Sequence, residues 1–348
     1  MGLFKSAQGV YLDQEKEPSL SRDIVPFINP SSSDSSIFDF GKTNGFTKDE
    51  LIEASRLAEI VDESSGEMLW EKLRRYKFKT IRLLVGDGVD DEPYISSQMN
   101  PLLKLGEEAS KGMELICDSF SPAESYFTVY KHIFDIETPI PKEIGGFKLK
   151  RVGGRFPADS SFWPSDDSTL TIGVGALIFL YRAIYKHEKQ RTSFITVAGD
   201  CIGNPCNMEV SLGANLMDVI ERMGLIKNPS RIIIGGAMSG ISVVDPKSTL
   251  TTPQTRAILC FSEKPSEKEY ECIKCSRCER YCPVGLNPML IYKMLSLSEE
   301  AKAEHLGARD CIGCGVCSYV CPSKLDLSAS IKQFKTELMG GNKNAKTK

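Results

Sequence analysis

The sequence predicts a multidomain α+β fold in which an α/β core, a β-grasp-like unit and a cysteine-rich helical domain follow one another along 348 residues. Helix and strand patterns alternate through the first half of the chain, and one helix pattern stands among short strand patterns over 192–259. Two copies of one cysteine pattern lie near the end. A hydrophobic content of 41% is enough for ordinary cores, and a net charge of −3 argues against a nucleic-acid partner.

Residues 1–45 predict an extended arm and linker, with regular structure beginning only after it, because the segment holds several prolines and a serine-rich run. An α/β domain is predicted over 46–190. At its start Thr47 and Glu50 form a capping box ahead of an amphipathic helix. A β-rich strand at 80–85 then runs into a loop at 86–94.

Two glycine-rich segments of this domain are candidate flavin or nucleotide sites, because amides at a helix N-terminus bind phosphate. The candidate residues are Gly88, Glu92, Tyr94, Gly173 and Gly175. Neither segment completes G-x-G-x-x-G/A, so glycine turns with packing duties alone are the competing interpretation. For the acidic group of this loop, a solvated surface is favoured over contacts to a ribose or a metal; its members are Asp87, Asp90, Asp91 and Glu92.

The segment 191–260 predicts a β-grasp-like domain. Strand patterns at 194–197, 208–212 and 231–234 surround one helix pattern at 214–223. A single helix can cover one face of such a small sheet, which makes this a compact unit of its own.

The segment 261–340 contains two runs of the form C-x2-C-x2-C-x3-C-P, which is the ligand pattern of two-cluster ferredoxins. In such pairs the fourth cysteine of each run ligates the cluster of the other run. We therefore predict one 4Fe-4S cluster on Cys272, Cys275, Cys278 and Cys321, and a second on Cys311, Cys314, Cys317 and Cys282. Zinc sites and disulfides explain the third cysteine and the Cys-Pro pair poorly.

Helices are predicted on both sides of the second cysteine run. Asn287 is an N-cap and Pro288 occupies the first helical position of the helix between the runs. Another helix is predicted from about 327 to a stop at Gly340 and Gly341, followed by a basic tail over 341–348. No signal-peptide pattern opens the chain and no apolar stretch approaches the roughly 20 residues of a membrane span.

Four segments in the same order resemble the RnfC family, a component of the Rnf-type ion-translocating electron transport complexes that is related to the flavin-binding, NADH-oxidising subunit of respiratory complex I. The segment 88–95 is similar to G-A-E-C-E-P-Y, and 235–240 is similar to G-G-P-M-M-G; the other two markers are 199–207 and the paired cysteine runs. The resemblance implies a flavin-domain fold for the α/β core. It also implies a place among integral membrane subunits, peripheral on the cytoplasmic side of the inner membrane, with ferredoxin or NAD as redox partners.

One departure from that family concerns the loop that would hold a flavin phosphate. The family has a glycine-rich loop here, whereas this chain has a single glycine, Gly66, and the carboxylates Asp62, Glu63 and Glu67. Carboxylates repel a phosphate, and residues with a Cβ cannot approach it as closely as glycine. We therefore expect degraded FMN and NADH sites and no stand-alone NADH dehydrogenase activity.

The combined prediction is an electron-transfer subunit that relays electrons through two 4Fe-4S clusters and receives them from a ferredoxin or flavodoxin-like carrier. Two alternatives belong to other classes. One is a complete NADH-dependent iron-sulfur flavoprotein similar to corrinoid reductases, and the other is an interaction subunit whose clusters are structural.

Overall fold

The computed structural model describes residues 23–27, 42, 44–131, 140–154, 156–159, 167–262 and 269–344, with side chains to residue 338. Its strands are β1 Val25–Phe27, β2 Val61–Asp62, β3 Glu67–Met68, β4 Leu83–Gly88, β5 Glu124–Tyr130, β6 Glu143–Ile144, β7 Phe147–Val152, β8 Thr169–Gly173, β9 Thr192–Ala198, β10 Cys206–Ser211, β11 Arg231–Ile234, β12 Ile241–Ser242 and β13 Ala257–Phe261. Its helices are α1 Lys48–Leu57, α2 Leu69–Tyr76, α3 Met99–Lys104, α4 Gly106–Phe120, α5 Val174–Lys186, α6 Leu216–Arg222, α7 Arg277–Arg280, α8 Pro288–Ser296, α9 Glu300–His305, α10 Val316–Tyr319 and α11 Leu327–Asn344.

The first sheet has the order β6-β7-β5-β4-β8. Its strands β7, β5, β4 and β8 are parallel to one another, and β6 pairs with β7 in antiparallel orientation. Helices α4 and α5 pack against each other over the sheet. They approach closely because Gly112 has no side chain: a Cβ there would lie 2.1 Å from the carbonyl oxygen of Leu177. The core beneath them contains Phe127 and Leu170, both completely buried. Strand β4, between β5 and β8, is buried from Leu84 to Gly88, as expected of an inner strand in a parallel sheet.

The second sheet has the order β1-β10-β9-β13-β11-β12, with β9 and β13 parallel at its centre. Antiparallel pairs flank this centre, β10 with β9 on one side and β11 with β13 on the other. Helix α6 contributes Val219 and Ile220 to a buried cluster with Ile195 and Ile258. One helix therefore covers one face of a mixed sheet.

The part from 269 onward is helical. Asn287 caps α8 by accepting a hydrogen bond from the amide of Leu290 at 3.0 Å, and Pro288 is its first residue, as predicted. The α8 and α11 helices pack against each other around Ile291, Ile331 and Phe334. The first cysteine run lies directly before α8 in the chain, and the second lies directly before α11.

Several predicted boundaries are wrong. Regular structure begins before residue 46, because Val25–Phe27 pairs in parallel with β10. The remainder of the predicted arm lies outside the described residues except for 23, 24, 42, 44 and 45. The β4 strand continues to Gly88 instead of ending at 85. The α11 helix passes through Gly340 and Gly341 to Asn344, since intrahelical bonds tolerate glycine at modest cost. The capping box of Thr47 and Glu50 is confirmed.

Candidate iron-sulfur centre and neighbouring cleft

The eight cysteines of the two runs surround two separate cavities. One cavity is lined by Cys272, Cys275, Cys278 and Cys321, and the other by Cys282, Cys311, Cys314 and Cys317. Each set combines three cysteines of one run with the last cysteine of the other, and thiolates are the ligands that iron-sulfur clusters prefer. The second cavity is smaller than the first, about 20 Å³ against about 250 Å³.

Within the parts of the chain that the structure describes, no three His, Cys, Asp or Glu side chains converge as ligands of a single metal ion would. Four cysteines around a 4Fe-4S cube each bind a different iron, so they stand apart from one another. Burial raises the pKa of the Cys314 and Cys317 thiols to about 11 and about 12. Bound iron would overcome this, because a metal ion deprotonates a coordinating thiol.

The two runs have the same left-handed backbone conformation at two equivalent positions, although the residue types there differ. Lys274 and Ser276 in the first run have φ of 57° and 56°, and Gly313 and Gly315 at the same places in the second run have φ of 71° and 79°. The left-handed residues turn amides inward; the amide of Lys274, for example, lies 3.4 Å from the Cys272 sulfur. Amide-to-sulfur hydrogen bonds stabilise reduced clusters.

The second run is covered by the loop at 235–240, and the first run is exposed. A Cβ on Gly315 would lie 2.2 Å from the carbonyl oxygen of Met238, which explains why glycine stands there and not the serine of the first run. Cys314 and Cys317 are buried, whereas Ile273 in the first run is 67% exposed. The run with the smaller cavity therefore faces the rest of the molecule, and the other run faces solvent.

The covering loop, residues 235–240, also reaches the α/β core. Glu92 accepts hydrogen bonds from the amides of Met238 at 2.9 Å and Ser239 at 3.1 Å, and from the Ser239 hydroxyl. A Cβ on Gly236 would overlap the Glu92 carboxylate, so any larger residue there would displace this contact. One short loop thus touches Glu92 on one side and the second cysteine run on the other.

A cleft of about 350 Å³ lies between the α/β core and the second sheet, next to this loop. Its charged lining consists of the carboxylates of Glu63, Asp91, Glu92 and Asp159 and the guanidinium of Arg256. Arg256 is already paired, with Asp159 at 2.5 Å and Asp90 at 2.9 Å. Burial raises the pKa of Asp91 to about 6. The cleft is therefore acidic, which disfavours phosphate-bearing ligands.

The N-terminus of α5, where a phosphate would bind, is occupied by a side chain of the chain itself. The Glu63 carboxylate accepts from the amide of Gly175 at 2.6 Å and from that of Ala176 at 2.9 Å. Asp62 accepts from the amide of Gly173 at 3.2 Å and pairs with Lys72 at 2.5 Å. The two carboxyl groups accept hydrogen bonds from the amides of the helix end, which a ligand phosphate would otherwise use.

Glu67, the third carboxylate predicted in this place, lies elsewhere. The β2 and β3 strands form a hairpin whose turn contains Gly66 at φ 72°. The hairpin carries Glu67 away from α5 to a surface pair with Arg75 at 2.8 Å. Of the three carboxylates, Asp62 and Glu63 therefore lie at the α5 N-terminus and Glu67 does not.

The five flavin or nucleotide candidates separate into three groups. Glu92 lines the cleft, and Gly173 and Gly175 meet Asp62 and Glu63 at the α5 N-terminus. Gly88 and Tyr94 are packed. A Cβ on Gly88 would lie 2.8 Å from Leu102, and the Tyr94 ring lies edge-on to Phe261 with centroids 5.4 Å apart.

The prediction that the acidic segment is a solvated loop is wrong, because Asp87 and Asp90 are buried. Asp87 accepts from the amide of Val89 at 3.1 Å. Asp90 caps α3 by accepting from the amide of Met99 at 2.8 Å, and it also pairs with Arg256. Buried carboxylates are stable only with such partners, and one of these partners, Arg256, comes from a distant part of the sequence.

Several residues were not predicted from the sequence. Asp159 and Arg256 line the cleft, and Lys332 and Lys335 contact the second run and its covering loop. None belongs to a motif. The spacing of Lys332 and Lys335, three residues apart on a predicted helix, places them on one face and was a usable signal.

Glu63 provides a test of this arrangement through the pH dependence of stability. Burial, followed by the charge of Asp62, raises the pKa of Glu63 from 4.5 to about 8. Between these values the folded chain binds more protons than the unfolded chain, so the stability should fall as the pH rises from about 5 to about 8. Each unit of difference contributes about 1.4 kcal/mol.

We expect Glu63→Gln to flatten this dependence and to raise the unfolding temperature most at the upper end of the window. Anaerobic calorimetry at several pH values measures this effect. In the wild-type chain a protonated carboxyl band should be present in the infrared at pH 6 and lost well above pH 8. The same pH dependence of stability in the wild-type chain and in Glu63→Gln would contradict this role of Glu63. Glu67→Gln, at a carboxylate on the surface, is the matched control.

Comparison with known proteins agrees with this geometry. The 4Fe-4S dicluster domain family matches residues 271–325. The C subunit of the Na+-translocating ferredoxin:NAD+ oxidoreductase complex of Acetobacterium woodii is 25% identical over 284 residues, which cover 75% of this chain and 63% of the relative. For the proton-translocating counterpart of Clostridium ljungdahlii the identity is 25%, with 65% and 54% covered. For the C subunit of the ion-translocating oxidoreductase complex of Rhodobacter capsulatus it is 25%, with 62% and 45% covered.

Among solved structures, a chain of the NAD+-reducing [NiFe]-hydrogenase in the H2-reduced state is similar, with a TM-score of 0.54 and 11% identity over 83% of this chain and 63% of that one. The air-oxidised state gives a TM-score of 0.52 and 14% identity, with the same shares covered. This likeness concerns the fold, which is mixed α/β with a ferredoxin-like domain.

No helix in the described ranges is both long enough and apolar enough to cross a membrane. The chain spans between about half and two thirds of the three curated relatives named above. Within that span the resemblance expected from the four sequence segments is confirmed: the chain is similar to the C subunits of the ion-translocating, Rnf-type oxidoreductase complexes and carries a 4Fe-4S dicluster domain.

Proposed function

We propose that the chain is an electron-transfer subunit of an Rnf-like membrane complex and that it relays electrons through two 4Fe-4S clusters. The observation that carries this proposal is the grouping of the eight cysteines around two cavities, each with three ligands from one run and one from the other. When bound, such clusters supply one-electron transfer. The chain's own contribution is to hold the cysteines, turn backbone amides toward the sulfurs and cover the second run with the 235–240 loop.

Each proposed cluster has four cysteine ligands, three from one run and the last cysteine of the other run. Cys272, Cys275, Cys278 and Cys321 hold one cluster, and Cys311, Cys314, Cys317 and Cys282 hold the other. The proposed domains are also retained, with the α/β core over 46–190, a β-grasp-like unit over 191–260 and the helical cluster domain over 261–340. The β-grasp-like unit is supported by the parallel central pair of β9 and β13, whose residues Ile195 and Ile258 share a buried cluster with α6.

FMN and NADH are not part of the proposed mechanism, because the residues present do not fit them. Glu63 takes the amides of Gly175 and Ala176, and the adjoining cleft has four carboxylates and one guanidinium that is already paired. We propose that the α/β core now serves as a scaffold and docking surface. Electrons would enter from a ferredoxin or flavodoxin-like carrier.

The exposed first run is the proposed contact with redox partners. Tyr270, Ile273 and Tyr281 are 51%, 67% and 49% exposed, and they surround the run whose cavity opens to solvent. Apolar side chains at the centre of a surface and charges at its rim are typical of protein interfaces. Lys274 and Arg277 provide exposed charge on this face.

Fractionation of the chain with and without its partners tests the assignment to a complex. We expect the chain to sediment with membranes when integral partner subunits are present and to stay in the supernatant when it is expressed alone. The reason is that no described helix can cross a bilayer. The partners should be identified after anaerobic purification of the intact assembly.

Persistent sedimentation of the chain alone would contradict partner-dependent attachment. It would point instead to direct lipid binding by the basic tail at 341–348, of which 345–348 lie outside the described residues. Removal of that tail is the matched control. The proposed place is the cytoplasmic side of the inner membrane.

A further inference from the structure

Two lysines of α11 lie against the second cysteine run. The ammonium of Lys335 donates to the carbonyl oxygen of Cys311 at 2.8 Å, and that of Lys332 donates to the carbonyl oxygen of Ser239 at 2.8 Å. The Lys332 stem passes Gly313, where a Cβ would lie 2.9 Å from its Cε atom. Both side chains are partly buried.

Neither lysine forms an ion pair with a carboxylate among the described side chains. Their charges are therefore not neutralised at short range, and partial burial limits screening by solvent ions. A cluster that accepts one electron becomes more negative, so a nearby cation stabilises the reduced form relative to the oxidised form. The result is a higher reduction potential.

We propose that Lys332 and Lys335 raise the reduction potential of the cluster held by Cys282, Cys311, Cys314 and Cys317. This inference rests on the proposed function, since it requires that cluster to be present. It assigns to these lysines an electrostatic role in electron transfer, in addition to the contacts that fasten α11 to Cys311 and to the covering loop.

The first run provides an internal comparison. The two runs are displaced by 39 residues, from Cys272 to Cys311, so Lys293 on α8 corresponds to Lys332 and Ser296 corresponds to Lys335. Lys293 lines the first cavity. The first cluster therefore has one helix lysine where the second has two, and the chain itself offers a control charge near the other cluster.

The test is a redox titration of the reconstituted full chain, followed by electron paramagnetic resonance, with dithionite as reductant. Lys335→Gln and Lys332→Gln should each lower the potential of one of the two clusters and leave the other unchanged. At a fixed potential the ratio of reduced to oxidised cluster should fall about tenfold, which corresponds to about 59 mV for a one-electron couple. Lys293→Gln should instead shift the other cluster.

Variants that keep the positive charge separate the electrostatic effect of the lysines from the effect of their hydrogen bonds to Cys311 and Ser239. Lys335→Arg and Lys332→Arg should keep potentials close to that of the wild-type chain, because arginine preserves the positive charge. All variants are titrated at full iron content, which confirms that the clusters are assembled. Unchanged potentials in both glutamine variants, or equal shifts in the glutamine and arginine variants, would overturn the inference.

Failure of this inference is distinguishable from failure of the proposed function. Wild-type clusters that are absent or cannot be reduced would refute the relay itself. Reducible clusters whose reduction potentials do not change when the charge at 332 or 335 is removed would refute only the role of the lysines.

Discussion

Replacing Cys321 by serine should remove the cluster built on the first cysteine run and leave the second cluster in place. The intact chain should hold about eight irons and eight sulfides after anaerobic reconstitution, because each set of four cysteines binds one 4Fe-4S cube. Cys321→Ser and Cys282→Ser should each reduce the iron to about four per chain. The reason is that each of these cysteines lines the cavity of the opposite run.

Double variants make this ligand exchange measurable. Cys321→Ser combined with Cys275→Ser should cost no more iron than either change alone, because both remove ligands of the same cluster. Cys321→Ser combined with Cys314→Ser should remove nearly all of it. This non-additivity reports which residues act together. Cys117→Ser is the control, since Cys117 lies on α4, outside both cysteine runs.

The opposite pattern would show that each run holds its own fourth ligand. In that case Cys321→Ser with Cys314→Ser would leave one cluster and Cys321→Ser with Cys275→Ser would leave none. Iron and sulfide analysis and the spectra of the reduced chain decide between the two patterns. About four irons in a fully folded wild-type chain would refute the two-cluster assignment altogether.

The purified chain should retain no FMN and should not oxidise NADH at a rate comparable with family members that keep the glycine-rich loop. Glu63 occupies the amides of Gly175 and Ala176 in either protonation state, so a flavin phosphate would have to displace it. When ionised, a carboxylate 4 Å from a phosphate charge costs about 4 kcal/mol at an effective dielectric constant of 20. Asp91, Glu92 and Asp159 add to this repulsion in the cleft.

Flavin content after gentle purification and NADH-dependent reduction of the clusters measure this prediction. A relative that keeps the glycine-rich loop, purified and assayed in the same way, is the positive control. Reduction of this chain's clusters by dithionite shows that they are competent. Stoichiometric FMN together with cluster reduction by NADH would restore the interpretation of the chain as a complete NADH-dependent flavoprotein.

Local patterns were readable from the sequence because the contacts that stabilise them are short in sequence. The α1 capping box joins Thr47 and Glu50, three residues apart, and Asn287 caps α8 through the amide of Leu290. Each cysteine run is likewise a pattern within a short stretch of sequence. Their spacing alone predicted the ferredoxin-like domain that the family match identifies at 271–325.

The place of each carboxylate was decided by the tertiary structure. Asp62, Glu63 and Glu67 are equivalent in a sequence pattern, yet a two-stranded hairpin directs the first two to α5 and the third to Arg75. Asp90 is buried because Arg256, 166 residues away, neutralises it. No local signal predicts such a partner, because burial of a charge depends on what the rest of the fold brings to it.

The sequence by itself determined the ligand chemistry, since thiols at fixed spacing and a proline turn suffice to specify it. Only the tertiary structure decided which run is covered and which is exposed. Met238 lies over Gly315, and Lys332 and Lys335 reach the second run from α11, whereas Ile273 of the first run remains in solvent. The physical reason is that a cysteine run is covered by contacts with residues that are distant in sequence. The spacing of the cysteines carries no information about those residues.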